Sequence, residues 1–490
     1  MLQHYQVWKS LCLTLWLLPV LTLAAPTDTL FQQHCASCHG QQRLGGMGPA
    51  LLPENLSRLR KNNAIEVIGN GRAATQMPAF KDTLNPDQIQ ALADYIYQPP
   101  ASEPQWTLED MQTSHIQHYD VKTLPTNASF EANLQNLFIV VELGDHHATL
   151  LDGDSFTPIH RFATRFALHG GPKYSPDGRF VYFASRDGWI SKFDIYNLKT
   201  VAEIRAGINT RNMAVSFDGR YAMVANYLPH NLVLLDTESM LPMKVFPVEG
   251  RVSAVYTAPP RNSFVAALKD SKTILEIPYG SRPFPVRSIT TDTYLDDFFF
   301  DQNYQHLIGA SREGDRGQVI DLDSGKAVAS IPLAGMPHLG SGISWEYQGK
   351  TVMATPHLKE GKVSIIDMDS WQVIKQIDTL GPGFFMRSHD NSPYAWVDVF
   401  FGPNKDAVHL IDKRTLQIAH TLKPEPGKTA AHVEFTQDGR YALLSLWEED
   451  GAVIVYDAET LREVKRLPMR KPSGKYNVYN KTHYAAGTSH

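Results

Sequence analysis

Three stretches decide how this chain folds: Ser175-Pro176-Asp177-Gly178-Arg179-Phe180-Val181-Tyr182-Phe183-Ala184, Ser216-Phe217-Asp218-Gly219-Arg220-Tyr221-Ala222-Met223-Val224-Ala225 and Thr436-Gln437-Asp438-Gly439-Arg440-Tyr441-Ala442-Leu443-Leu444-Ser445. Each is a turn that runs into an alternating strand, and each is followed by a second strand ending at an aspartate (Asp194, Asp236, Asp457). Degenerate copies begin near Asn133, Arg261, Asp301, Gln348 and Asn391. Eight copies between about 120 and 470 average about 44 residues, the length of one four-stranded propeller blade. A β-sandwich does not repeat in this way. The expected architecture is an eight-bladed all-β propeller over residues 119–490.

The chain before the repeat is of a different kind. Leu11 to Ala24 is an apolar run preceded by Lys9 and closed by Ala25-Pro26. Its fourteen residues would make roughly 21 Å of helix, short of the roughly 30 Å of a hydrocarbon core. Residues 1–25 are therefore expected to be an export signal cut near Ala24 or Ala25, with a periplasmic mature chain that has no membrane span. Cleavage would leave two cysteines, in Cys35-Ala36-Ser37-Cys38-His39. A zinc site would need a second ligand pair and a thioredoxin-like site a βαβ setting, and neither follows. CxxCH instead lets two thiols hold one haem while the adjoining His39 reaches its iron. Met77 and Met47 are the candidates for the opposite axial position. The Met77-Pro78-Ala79-Phe80 segment resembles the MPxF ligand loop of class I cytochromes c, which favours Met77. Pro86 to Tyr97 reads as the closing helix of such a domain, with apolar positions at 89, 92 and 96 and Pro99-Pro100 as its stop. A small all-α class I cytochrome c domain over 26–100 and a linker over 101–118 complete the expected organisation.

The 490 residues carry 46 Lys and Arg against 51 Asp and Glu, with no basic block. That balance argues against a nucleic-acid partner. Several of the 19 histidines fall in loops expected at one rim of the propeller, notably His169, His338 and His357. A loop histidine alone is usually only solvated.

Nearly the whole chain resembles the cytochrome cd1 family, in which a c-haem domain precedes a propeller that holds haem d1. Phe166-Ala167-Leu168-His169 with the following Tyr174-Ser175-Pro176-Asp177-Gly178-Arg179 is similar to the segment that supplies the proximal histidine. Ala184-Ser185-Arg186-Asp187-Gly188 resembles a propionate-facing arginine turn, Gly335-Met336-Pro337-His338-Leu339-Gly340 the distal loop, and Gly474-Lys475-Tyr476-Asn477-Val478-Tyr479-Asn480 the closing segment. The resemblance implies His169 as iron ligand, Arg186 near the macrocycle carboxylates and His338 on the distal face. Arg211 and Tyr227, on neighbouring blade loops, are candidates for the same carboxylates or are simple rim residues.

The departures point to one branch of that family. Where nitrite-reducing members have an FLHDGG-like segment, this chain reads Tyr294-Leu295-Asp296-Asp297-Phe298, so Asp296 takes the place of a second distal histidine. Ser341 stands where the reductases have an arginine. The pattern resembles the biosynthetic branch, the dihydro-haem d1 dehydrogenases, which desaturate a propionate to an acrylate with the c-haem taking the electrons. It implies one covalent c-haem, dihydro-haem d1 as non-covalent substrate, a periplasmic electron acceptor and a cd1 nitrite reductase as recipient of haem d1. His338 is then the expected base, and Asp296 is a second base or a loop carboxylate. The alternatives are a nitrite reductase with altered distal residues and a non-catalytic haem d1 carrier.

Overall fold

The computed structural model describes residues 26–72 and 77–483. The expected export signal lies outside the described residues. The first domain is helical: α1 (Thr27–His34), the single turn α2 (Ala36–His39), α3 (Lys61–Asn70) and α4 (Pro86–Ile96). Helix α4 starts where its sequence says it should. Pro86 occupies the first turn, and Asn85 and Gln88 satisfy each other's backbone N–H groups in a capping box. Its buried stripe of Ile89, Leu92, Ala93 and Ile96 meets Leu30 and Phe31 of α1 in one apolar core.

Among the described residues the strands then form eight antiparallel sheets. We number the blades from the one that begins with Leu137–Glu142. Blade 1 holds 137–163 plus a late strand, and blades 2 to 8 hold 173–205, 209–247, 252–290, 297–332, 343–378, 386–422 and 430–469. The repeated motif is the hairpin between the first two strands of a blade. In blade 2, Phe180 N donates to Ser175 Oγ (2.9 Å), Arg179 N donates to Asp177 Oδ1 (3.1 Å), and Gly178 takes φ +73°. Thr436, Asp438 and Gly439 repeat the arrangement in blade 8. Aspartate and glycine are needed here because the turn needs a short acceptor and a left-handed backbone.

Blade 1 is built from both ends of the propeller. Its innermost strand, Pro472–Asn477, pairs with Leu137–Glu142, so the last strand closes the ring on the first. Lys475 on that strand is fully buried and donates to His432 O and Ser445 Oγ. Asn477 Nδ2 reaches Asn136 Oδ1 at 3.0 Å.

Residues 101–118, read from sequence as a linker, are ordered on blade 2. Helix α5 (Leu108–Ser114) buries Met111 completely in the core shared by blades 2 and 3, and Ile116–Gln117 adds a fifth strand to blade 2. The apolar Trp106 and Met111 explain the docking: left free, both would face water. The two domains touch directly. Ala50 and Leu52 pack with Ile208 and Leu228, Arg205 reaches across to Leu44 O, and Trp106 Nε1 donates to Arg205 O.

Deleting everything after Lys471 should strip blade 1 of its inner strand and leave Leu137–Glu142 as an open edge. The expected result is loss of the cooperative thermal transition of the propeller in circular dichroism. An unchanged transition would mean that the ring holds without this strand.

Candidate functional site: two haem-binding centres

Cys35 caps α1, and the turn of α2 carries Cys38 and His39. The thiols are free, and burial together with the neighbouring Cys38 pushes Cys35 up to about 11. His39 Nδ1 donates to Pro49 O at 2.8 Å, which orients the ring and leaves Nε2 unengaged. Gly48 lies flat against this ring, where a Cβ would come within 2.7 Å of it. Met77 packs against the apolar core of the domain, whereas Met47 is 77% exposed. Two thiols, an imidazole with one free nitrogen and a thioether in one small apolar domain suit a covalently held haem.

The second centre lies on the end of the propeller opposite the aspartate-glycine hairpins. His169 sits in the passage from blade 1 to blade 2, held by its N–H to Ala184 O and preceded by Ala167 at φ +48°. Its Nδ1 donates to Arg211 O (2.6 Å), and Arg211 Nη1 stands 3.2 Å from both ring nitrogens. Arg211 is itself held through Nε to Ser253 O. Burial, then the cations of Arg211, Arg186 and Arg58, keep His169 well below the usual imidazole range. A neutral imidazole with Nδ1 committed is the form that ligates a metal through Nε2.

Arg186, on the turn of blade 2, is lowered to about 9 by burial and then by the charges of Arg58 and Arg211, with Tyr227 opposing. Arg58, Arg186 and Arg211 form no ion pair with a carboxylate among the described residues. Three cations gathered without a counter-anion make a site for a ligand carboxylate.

His338 faces the same depression from the passage into blade 6. Its N–H bonds to Pro356 O, its Nδ1 donates to Phe384 O (2.5 Å), and its Nε2 lies 3.8 Å from Asp297 Oδ2. Burial holds its pKa below the ordinary value, opposed by Asp297. Arg211 bears on both His338 and His169, which marks them as two sides of one space. Asp297 is fixed by Gly340 N (2.6 Å) and the Tyr256 hydroxyl (3.2 Å). Gly340 permits that approach, since a Cβ there would fall 2.6 Å from Asp297 Oδ2. Beside His338 stand the half-buried rings of Phe384, Phe385, Phe400 and Trp447, with centroids 4.4 to 6.1 Å apart. They offer an apolar wall for a flat ligand.

The residues matching the Cytochrome D1 heme domain model are 132–481, and residues 23–96 match the model for cbb3-type cytochrome c oxidase subunit III. The chain belongs to the cytochrome d1 family. It is 59% identical to the dihydro-heme d1 dehydrogenase of Pseudomonas aeruginosa, with 95% of this chain and 96% of that protein covered. The nitrite reductase of Stutzerimonas stutzeri is 26% identical over 92% of each chain. A solved structure of the dihydro-heme d1 dehydrogenase NirN in complex with DHE matches with a TM-score of 0.92 and 59% identity, covering 94% of this chain and all of the other.

In this cytochrome d1 propeller, sequence reading and geometry part at three places. His357, expected at the rim, is fully buried inside blade 6, with Nδ1 on Ala334 O (2.6 Å) and Nε2 on Ser364 Oγ (2.9 Å). Asp296 is buried and tied to Arg312 N (2.6 Å), Arg312 Nε and Lys269 Nζ (both 3.3 Å). The carboxylate beside His338 is the adjacent Asp297, which sequence reading passed over. Alternation was the available signal: neighbours at the start of a strand face opposite sides. Arg58 was missed because it lies in the other domain. No described helix is long and apolar enough to cross a membrane.

Burial lowers His357 to about 4, against 6.5 when unfolded. Its contribution to stability is therefore complete above about pH 6.5 and disappears as pH falls toward 4, by up to about 3 kcal/mol. His357→Gln should flatten the fall in unfolding free energy between pH 7 and 4, measured by urea titration, and an unchanged slope would deny His357 this role.

Proposed function

We propose that this chain is a dihydro-haem d1 dehydrogenase: it desaturates a propionate side chain of dihydro-haem d1 to the acrylate of haem d1. The observation that carries the reading is the contrast between His338 and Asp296. His338 is held neutral by burial, with Nε2 facing the depression beside Asp297. Asp296 is consumed by Lys269 and Arg312. One neutral imidazole facing the depression, with the second carboxylate tied to two cations, suits removal of protons from a side chain better than protonation of a departing oxygen. The 59% identical full-length relative supports the same reading.

Forming C=C from CH2–CH2 releases two protons and two electrons. His338 Nε2 accepts a methylene proton, Phe384 O holds the ring in place, and Asp297 stabilises the imidazolium. His169 offers Nε2 to the iron of the substrate, Arg186 and Arg211 with Tyr227 receive its carboxylates, and the aromatic wall covers one edge. Asp296 serves as the loop carboxylate that fixes Arg312. Cys35 and Cys38 would hold the c-type haem and His39 and Met77 would ligate it; it would supply a one-electron sink that must be emptied to the periplasmic acceptor and used a second time for each double bond, while the second proton leaves to solvent. The chain works in the periplasm after export on residues 1–25, passes electrons to a periplasmic acceptor, and delivers haem d1 to a cd1 nitrite reductase in denitrification.

Dihydro-haem d1 given to the oxidised protein with an added one-electron acceptor should yield the acrylate product, with transient reduction of the c-haem and two acceptor equivalents reduced per product, and nitrite turnover under reductant should be negligible. His338→Ala should slow desaturation by roughly 10²–10⁴ with little loss of binding. Robust nitrite reduction, or full activity of the variant, would overturn the reading, and binding without conversion would leave a carrier.

Met77→Ala should lower the potential of the c-haem and abolish its thioether-to-iron absorption band. If the band persists, the other thioether candidate, Met47, holds that position.

A further inference from the structure

The cytochrome domain contributes more to the propeller end than contact area. Its segment 50–58 is seated on blades 2 and 3: Ala50 and Leu52 are buried beside Ile208 and Leu228, and Asn55 Nδ2 donates to Ile208 O at 3.1 Å. A turn follows, with Leu56 N on Leu52 O and Leu59 N on Leu56 O. Arg58 thereby comes over the pocket from the opposite domain, where its charge bears on Arg211, Tyr227 and Arg312, and on Arg186 in return. It forms no ion pair with a carboxylate among the described residues, although Arg312 nearby is paired with Asp296 and Arg251 with Asp270.

This placement is unfavourable on its own terms. Folding brings a third guanidinium toward two others while Arg58 stays exposed to solvent, and like charges repel at such range even with water between them. An exposed arginine seated by a specific interdomain hydrogen bond three residues away, beside two further guanidiniums of the pocket that have no carboxylate partner, is placed to meet an anion that enters there. We infer that Arg58 binds a carboxylate of the tetrapyrrole substrate across the domain boundary, so that the pocket is complete only when cytochrome and propeller are docked. The inference rests on the dehydrogenase reading and adds the domain that finishes the substrate site.

The test uses full-length protein carrying its c-haem, titrated with dihydro-haem d1 and with the same tetrapyrrole after esterification of its carboxylates. Arg58→Gln should weaken binding of the free acid by roughly ten- to a hundredfold, the span of one charge-assisted hydrogen bond, and raise KM more than it lowers kcat. Arg58→Lys should recover part of the affinity. The ester should bind wild type and Arg58→Gln equally, and the c-haem spectrum should be the same in all three proteins. Equal affinity of wild type and Arg58→Gln for the free acid would overturn the inference. So would an equal loss on acid and ester, which would make Arg58 a residue of the interface only. Failure of wild type to bind either tetrapyrrole would instead sink the dehydrogenase reading itself.

Discussion

The pairing of Pro472–Asn477 with Leu137–Glu142 is the constraint on which the rest depends. The blades of a propeller all pack on two neighbours only when its ring is complete, and here the ring closes through a strand contributed 330 or so residues after its partner. The closure is polar as well as apolar. Lys475 is buried under His432 and Ser445, Arg387 and Glu434 form a buried pair at 2.9 Å, and Asn480 reaches Glu434 at 3.1 Å. Burial drives Lys475 far below its ordinary pKa, so the closing strand tolerates no casual replacement. Because the blades are fixed radially, the loops carrying His169, Arg186, Arg211 and His338 arrive at one end without further ordering.

That end is divided by charge type. One side gathers guanidinium groups without counter-anions, and the other gathers aromatic rings with a neutral imidazole and the Asp297 carboxylate beside it. A flat, acid-bearing, metal-containing molecule would suit both sides at once: its carboxylates would complete the cations, its faces would meet the rings, and its metal would lie within reach of His169. The same asymmetry disfavours a small anion such as nitrite as the sole occupant, since the apolar wall would then face water.

How much of this is legible in the sequence depends on how local the physics is. The blade repeat is legible because Asp177 and Gly178 build their turn with backbone groups two or three residues away. The c-haem motif is legible for the same reason, as is α4 with its capping pair. The rim is harder. Met336-Pro337-His338 and Thr355-Pro356-His357 look alike as text, and only their surroundings separate them: Asp297 faces one Nε2, and Ser364 takes the other. Resemblance to a family points to His169 and His338 but is silent about which of two adjacent aspartates turns toward the site. Arg58 is illegible in principle from any local pattern, because its neighbours lie more than 120 residues away on another domain.

The segment between the domains has a dynamic consequence. Helix α5 with its buried Met111, and the added strand Ile116–Gln117, make the connector part of blade 2. A tether of comparable length but no docking would let the cytochrome explore a sphere and meet the propeller only at intervals, at a millimolar local concentration. A connector laid down as a strut removes that search. The distance between the two centres is then set by the fold, and reassembly of the halves drops out of the steps that can limit turnover.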